Sequence, residues 1–408
     1  MMSLASPRSG PMVMVGLAIA IAAVDPVKLG SSDWAQPALL AFTALAAVLA
    51  TIALTGVPKL TGGAAWLAGW LAWAGVGALM APEPGTSLLA VSCFAAIGLA
   101  SYALASSGSA QETVLILGIA GLCSVAMAIT ASILGKQELF TGRLTLLFLE
   151  PNQLARAAGL IGVGFGAVGI AELLGRRDRT VLLVSGLASI GSAAALLLSE
   201  SRTGVTAAAV GALVVLTTHL SRRTSLALIV TLALLFGAGA AAVLSDNAGE
   251  SVNQSLARSA NQPTNELRTL NGRTVLWPEV VDVSLERPVT GVGLGRDRTV
   301  ISQFRAQGRV VWDAEHTHSL PLQLWLTTGV LGLIVVVAAL AWTAAGSWTA
   351  PDSLKRTLAL GLLTVVIVDG IVEPTLRVPA FAWVAVAAAT GFLAAPKSWA
   401  TRDERTTS

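Results

Sequence analysis

Apolar runs of around twenty residues recur along the chain, divided by short polar stretches. About twenty residues is the length an α-helix needs to cross a bilayer. About twelve spans are expected on this basis, at approximately residues 11–24, 36–55, 62–81, 86–107, 113–134, 152–174, 180–198, 203–219, 224–244, 318–342, 354–372 and 376–395. A transmembrane strand would alternate apolar and polar residues, whereas these segments are apolar on every face, so helices are predicted. The first segment is short and follows Arg8, a pattern shared with signal peptides. No clean cleavage site precedes Asp25-Pro26, and a retained helix is expected.

Composition removes the main alternatives. Of 408 residues, 54% are hydrophobic and 12% charged, against about 25% charged in a soluble globular protein. Mean hydropathy is +0.73. A soluble enzyme, a DNA-binding module and a disordered scaffold are excluded; the fold class is all-α, a polytopic membrane helical bundle. The net charge of +3 does not point to nucleic acid, because the basic residues are dispersed and follow membrane topology instead. Cys93 and Cys123 sit inside apolar runs and read as small buried residues, with no disulfide framework and no metal site.

Lys and Arg in the short loops set the orientation. Arg176, Arg177 and Arg179, then Arg222 and Arg223, then Lys355 and Arg356 all fall on one side of a twelve-span topology. Arg8, Lys59, Lys397, Arg402 and Arg405 join them. That side is expected to be the cytoplasm, with both termini on it. The one long polar stretch, residues 245–317, is then an external loop, and a loop this long is usually functional or disordered. Apolar periodicity argues for order. Val280, Val283 and Leu285 near Pro278, and Val300, Ile301 and Phe304 after Asp297, predict two short amphipathic helices lying against the membrane. Trp277 and Trp312 suit an interfacial depth. In the sixth span Gly162 and Gly166 form a small-xxx-small pair, which favours close packing within the bundle.

Charges beside apolar spans cost about 2.5–3.5 kcal/mol each at the bilayer centre on insertion scales, so their positions carry information. Arg202 lies in Ser199-Glu-Ser-Arg-Thr-Gly204; Asn152 and Arg156 open the sixth span after Glu150-Pro151; Asp369 and Glu373 close the eleventh, with Arg377 following. Read singly, each fits a loop residue snorkelling to the interface. Together they share the face of the long loop. That loop contributes Asn271-Gly-Arg-Thr-Val-Leu-Trp277, a segment running from Glu286 to Arg296, and Asp313-Ala-Glu-His-Thr-His-Ser-Leu-Pro321. Gly291-Val-Gly-Leu-Gly295 has no βαβ surroundings and reads as a tight turn, not a nucleotide site. Asp313, Glu315, His316 and His318 are suitable metal ligands by type. Their spacing is too short to build a four-ligand site unaided, and no metal or cofactor is expected.

Arginines offer permanently charged, bidentate donors for phosphate and pyrophosphate oxygens. A histidine titrating near neutrality can take a proton from an attacking hydroxyl or bond a leaving phosphate. Arg202, Arg273 and His318 on one face therefore suit chemistry on a lipid-linked pyrophosphate. Two blander readings stay open: Arg273 paired with a nearby acid such as Glu279, and His318 as a capping or loop residue.

At these residues the sequence resembles the O-antigen ligase family, whose superfamily includes O-antigen polymerases and bacterial protein O-oligosaccharyltransferases. His318-Ser319 followed by nine residues, Gly329 and then Gly332 resembles the ligase pattern. Ser201-Arg202-Thr203-Gly204, Gly272-Arg273 with Trp277, Pro288-Val-Thr-Gly-Val-Gly-Leu-Gly295, and Pro151-Asn152 with Leu154-Ala155 also match, in the family's order. The resemblance covers roughly residues 150–335.

The resemblance implies a membrane glycosyltransferase C-type bundle of about twelve helices. N-terminal transmembrane helices would occupy 1–150, a ligase-like core 151–335 with the external loop 245–317, and C-terminal helices with a cytoplasmic tail 336–408. It implies a metal-independent, inverting transferase that moves a glycan from a polyprenyl-pyrophosphate-linked oligosaccharide to a glycan or glycolipid acceptor hydroxyl. The setting would be the external face of the bacterial cytoplasmic membrane, among membrane lipid and without nucleic acid. Arg202 and Arg273 would bind the donor pyrophosphate and His318 would lie at the reaction centre, the three forming the catalytic set. Asn152, Arg156, Arg296 and Trp277 are the candidate substrate-binding residues. A repeat-unit polymerase of the same superfamily is the nearest alternative. A secondary transporter or lipid-linked-glycan flippase is the competing class, but the halves show no convincing repeat and the candidate residues gather at one surface. A non-catalytic assembly partner that presents the external loop is the third.

Overall fold

The structure, a computed structural model, describes residues 62–107, 151–175, 178–199, 201–220, 273–310, 316–376 and 381–394, with isolated positions at 45, 46, 49 and 114. Among the described residues every regular element is helical. The helices are α1 (Gly63–Leu79), α2 (Pro84–Ser107), α3 (Pro151–Leu174), α4 (Arg179–Ser199) and α5 (Arg202–Thr217), then α6 (Arg273–Glu286), α7 (Asp297–Ala306), α8 (Leu320–Trp348), α9 (Ser353–Gly370) and α10 (Phe381–Ala394). Eight of them coincide with predicted spans. The first, second, fifth and ninth predicted spans lie outside the described residues, apart from the isolated positions, and so do Cys123 and Trp312.

Among the described residues, four helices have both the length and the apolar composition to cross a membrane: α2, α3, α4 and α8. Helices α1, α5 and α10 are apolar but shorter. This is an integral membrane protein. The packing order is α3 with α4, α5 and α9; α9 with α5, α8 and α10; and α1 with α2 and α8, while α2 lies along α10. Lipid is as apolar as leucine, so close van der Waals fit and buried hydrogen bonds must hold such helices together. Both are present. Gly162 and Gly169 of α3 let Ser192 and Ser185 of α4 approach to within 3.0 and 3.3 Å of where a Cβ would stand. Gly166, the other half of the predicted small-residue pair, faces open space. Trp70, Phe94 and Trp383 join α1, α2 and α10 with ring centroids 5.3–5.6 Å apart. The Trp383 indole donates to the Phe94 carbonyl at 2.8 Å.

The two helices predicted in the long loop are α6 and α7, but their apolar faces pack against protein. Leu276 and Val280 of α6 and Val300, Ile301 and Phe304 of α7 bury against Val292, Val310 and Leu326 of α8. Leu285, counted in the predicted apolar face, is 58% exposed. The described part of the loop, residues 273–310, thus forms a small second core seated on α8.

Helix α8 is 29 residues long, more than the ~30 Å hydrocarbon thickness requires at 1.5 Å per residue. It breaks at Gly329, where φ is 71° and ψ 178°. Only glycine adopts this region without strain. A Cβ would also collide with the Val289 carbonyl oxygen. The break frees backbone groups that need partners, and the glycine-rich segment after α6 supplies them. Val292 and Gly293 donate to the Leu326 and Thr327 carbonyls at 2.8 and 3.1 Å, and Val330 donates to Pro288 at 2.7 Å. The Trp73 indole of α1 donates to the Thr328 carbonyl at 3.0 Å. The Gly329 spacing in the sequence therefore has a backbone cause, and the break fixes α6 and α7 beside the start of α8.

Candidate active site

Three helical pairs spaced four residues apart converge at one end of the bundle. On α3, Asn152 and Arg156 share a face, as residues four apart must. Glu373 follows the end of α9 one turn beyond Asp369, its backbone N–H bonded to the Asp369 carbonyl at 2.9 Å. Arg156 pairs with Asp369, and Asn152 Nδ2 donates to Glu373 Oε1 at 3.0 Å. On α6, Arg273 and Trp277 form the third pair. Arg273 Nη2 donates to Glu373 Oε1 at 3.2 Å and to the Val372 carbonyl at 3.1 Å. The Trp277 indole donates to the Thr317 carbonyl at 2.9 Å.

Trp277 thereby ties down the loop that carries both histidines. His316 Nε2 lies 3.4 Å from Glu373 Oε2 and His318 Nδ1 lies 3.5 Å from Glu373 Oε1. Their rings pack 4.0 Å apart. His318 has φ of 51°, the left-handed region that a residue other than glycine rarely occupies. Backbone strain of this kind persists only where the surroundings enforce it, and it concentrates at functional sites. Thr317 and Gln323 are buried beside it and bonded to each other at 3.1 Å.

The network reaches α5 through Asn152, whose Oδ1 accepts from Ser201 Oγ at 2.9 Å. Ser201 is the N-cap of α5 and also accepts from the Gly204 N–H. Arg202, the first residue of α5, stands next to it and is exposed. Gly204 is required there, since a Cβ would meet the Ala155 side chain of α3.

Electrostatics follow from burial. Glu373 is 1% exposed. Burial alone would raise its carboxyl, but the contacts from His316 and His318 reverse this and hold it well below the usual carboxylate range. His318 is pulled below the ordinary 6.5 by burial, against the opposing pull of Glu373; the neighbouring His316 ring and the Arg273 guanidinium lower it further. At neutral pH His318 is therefore a neutral base beside fixed guanidinium charge.

His316, His318 and Glu373 also offer three donor atoms within 4.8 Å of one another, a set that suits a transition metal by ligand type. The fit is poor. Arg273 is bonded to Oε1 of that carboxylate, and a permanent cation there repels a second one. Asp313 and Glu315 lie outside the described residues.

The expected site residues are distributed unevenly. Arg273 and His318 meet at Glu373, and Arg202 is the chain neighbour of Ser201, which bonds Asn152. Asn152 uses both ends of its amide within the protein, Arg156 is committed to Asp369, and Trp277 to Thr317. Arg296 belongs elsewhere: it is buried at the start of α7 and pairs with Glu83, just before α2, at 3.6 Å. Arg273 does not pair with Glu279, which instead meets Arg309. Sequence reasoning placed Glu373 among the costly charges but not in the site, and it gave His316 no role beyond the metal set. The available signal was a pair of carboxylates one turn apart at the end of an apolar helix, and intramembrane acids mark function.

Residues 187–337 match the family model described as O-antigen ligase. The match supports the O-antigen ligase superfamily for this chain. It spans α5, α6, α7 and the broken part of α8, including Arg202, Arg273, His318 and Gly329. Together with the apolar helices it supports a membrane protein of glycosyltransferase type. Asn152, Arg156, Asp369 and Glu373 lie outside the matched segment, so the network extends beyond it. No curated protein matches the chain.

Proposed function

We propose that this protein transfers a glycan from a polyprenyl-pyrophosphate carrier to an acceptor hydroxyl at the outer face of the bacterial cytoplasmic membrane. The observation that carries the reading is the meeting of Arg273 and His318 on one buried carboxylate, at the end of the bundle where Arg202 begins α5. Arg202, Arg273 and Arg156 outnumber Asp369 and Glu373 by one positive charge, which favours a pyrophosphate at this end.

In the proposed step the acceptor oxygen attacks the anomeric carbon from the face opposite the pyrophosphate. Its proton passes to His318 as the new carbon–oxygen bond forms. The bond to the pyrophosphate oxygen breaks with its electron pair, and Arg273 and Arg202 stabilise the anion that leaves. Configuration at the anomeric carbon inverts. The charges needed are all supplied by side chains, so the reaction is proposed to run without metal. Basic residues at Lys355 and Arg356, at the opposite end of α9 from Asp369, support placing this site outside and those loops in the cytoplasm.

The test uses the purified full chain with a polyprenyl-pyrophosphate oligosaccharide and two acceptors, a glycolipid core and a second lipid-linked repeat. Glycosylated product and free polyprenyl pyrophosphate are the expected outputs. Product on the glycolipid core marks a ligase, and product on the repeat marks a polymerase. Arg273→Ala and His318→Ala are expected to abolish either. Full transfer by both variants would refute the assignment.

A further inference from the structure

The transfer reading leaves open which nitrogen of His318 takes the proton, and counting hydrogens answers it. Arg273 Nη2 carries two hydrogens. One goes to the Val372 carbonyl at 3.1 Å and one to Glu373 Oε1 at 3.2 Å. Neither remains for His318 Nδ1, although that atom also lies 3.5 Å from Nη2. An ionised carboxylate only accepts, and Nδ1 faces Glu373 Oε1 at 3.5 Å. With both Nη2 hydrogens on the closer oxygens, Nδ1 carries its own hydrogen in this arrangement, and Nε2 holds the lone pair. The same logic fixes His316 with its hydrogen on Nε2, towards Glu373 Oε2 at 3.4 Å. Its Nδ1 is buried with no hydrogen-bond partner among the described residues.

We propose that Glu373 is a positioning residue: it holds His318 in the Nδ1–H form, presents Nε2 to the acceptor hydroxyl, and balances the imidazolium once the proton has moved. This inference rests on the transfer reading given above. A carboxylate is needed because all four neighbours that reach it donate: Asn152, Arg273, His316 and His318. Its own position is fixed from two directions, by Asn152 of α3 and by the Asp369 carbonyl of α9. The contact with His318 is long for a hydrogen bond, as catalytic contacts often are before substrate tightens them.

Among the described residues, the titratable and charged groups facing His318 are Glu373 from the turn after α9, Arg273 from α6 and His316 from its own loop. The Asp369–Arg156 pair of α9 and α3 stands behind Glu373. Of these neighbours, the carboxylate is the one that favours the imidazolium.

Glu373→Gln is the informative change. It keeps one oxygen for Asn152, Arg273 and His318, and puts an amide nitrogen towards His316. His316 accommodates this by moving its hydrogen to Nδ1, so the shape survives and only the charge is lost. The expected result is a kcat lower by about 10²–10⁴-fold, the usual worth of general acid–base catalysis, with the donor KM changed less than about threefold because Arg273 keeps its partners. The acidic limb of the pH–rate profile should move to lower pH. Glu373→Asp keeps the charge and should return that limb towards the wild-type position.

A second readout needs no turnover. Diethyl pyrocarbonate modifies unprotonated imidazole, and peptide mass spectrometry follows His318 modification across pH. The His318 midpoint should fall in Glu373→Gln relative to wild type. An unchanged or raised midpoint, or a kcat within about threefold of wild type, would overturn the positioning role. Wild-type protein that transfers nothing from any donor would instead overturn the proposed function, while the midpoint comparison would still decide how Glu373 acts on His318.

Discussion

Replacing Gly329 by alanine tests whether the break in α8 organises the site. The variant forces a Cβ into a backbone region that only glycine occupies freely, at φ 71° and ψ 178°, which costs on the order of 1–3 kcal/mol. The new methyl also meets the Val289 carbonyl oxygen, so the segment from Pro288 to Gly293 must withdraw. Three backbone hydrogen bonds then weaken, those from Val292, Gly293 and Val330, each contributing about 0.5–1.5 kcal/mol. The sum is a loss of about 2.5–7.5 kcal/mol. Gly166→Ala is the control. It places the same methyl on α3 where no atom lies within 4 Å, and it gains up to about 1 kcal/mol of helix propensity. Thermal unfolding of both variants in detergent, followed by tryptophan fluorescence, gives the comparison. Gly329→Ala should melt several degrees below wild type and Gly166→Ala at or above it. A Gly329→Ala protein as stable as the Gly166→Ala control would refute the account of the break.

Three further outcomes are expected. Neutral His318 is the reactive form and its value lies below 6.5, so transfer should persist at mildly acid pH and fall only as pH drops through that lowered value; a pH–rate profile with its acidic limb above 6.5 would contradict this. Arg156→Ala leaves Asp369 buried without its partner, and such a loss typically costs about 3–5 kcal/mol; chemical or thermal unfolding that moves by less than about 1 kcal/mol would show the pair to be dispensable. Because Arg273 occupies the carboxylate that a metal would need, chelation with EDTA should leave the transfer rate unchanged; a rate lost on chelation and restored by a divalent ion would show that a metal sits there.

The periodicity of the chain was enough to place eight described helices and both helices of the long loop. Their apolar residues are local in sequence, and helical hydrogen bonds close within four residues, so each element reports on itself. Gly329 was visible as a spacing after His318, but its cause was not. The collision with Val289 and the bonds to Pro288, Leu326 and Thr327 pair residues 34 to 42 apart along the chain, and no pattern encodes that approach.

The same division runs through the site and returns to the scarce charges. Composition and hydropathy determined that they are few, that Arg202 and His318 stand at the ends of apolar stretches and that Arg273 lies in the long polar loop. Which of them meet was decided by the tertiary structure alone. Glu373 lies one hundred residues from Arg273 and 221 from Asn152; the antiparallel contact of α3 with α9 and the approach of the start of α6 to the turn after α9 bring those groups to one carboxylate. Arg296, equally charged and equally close to the motifs, is carried away to Glu83. A buried charge must find a partner wherever the fold places one, and hydropathy along a chain says where charges are costly but not with whom they pair.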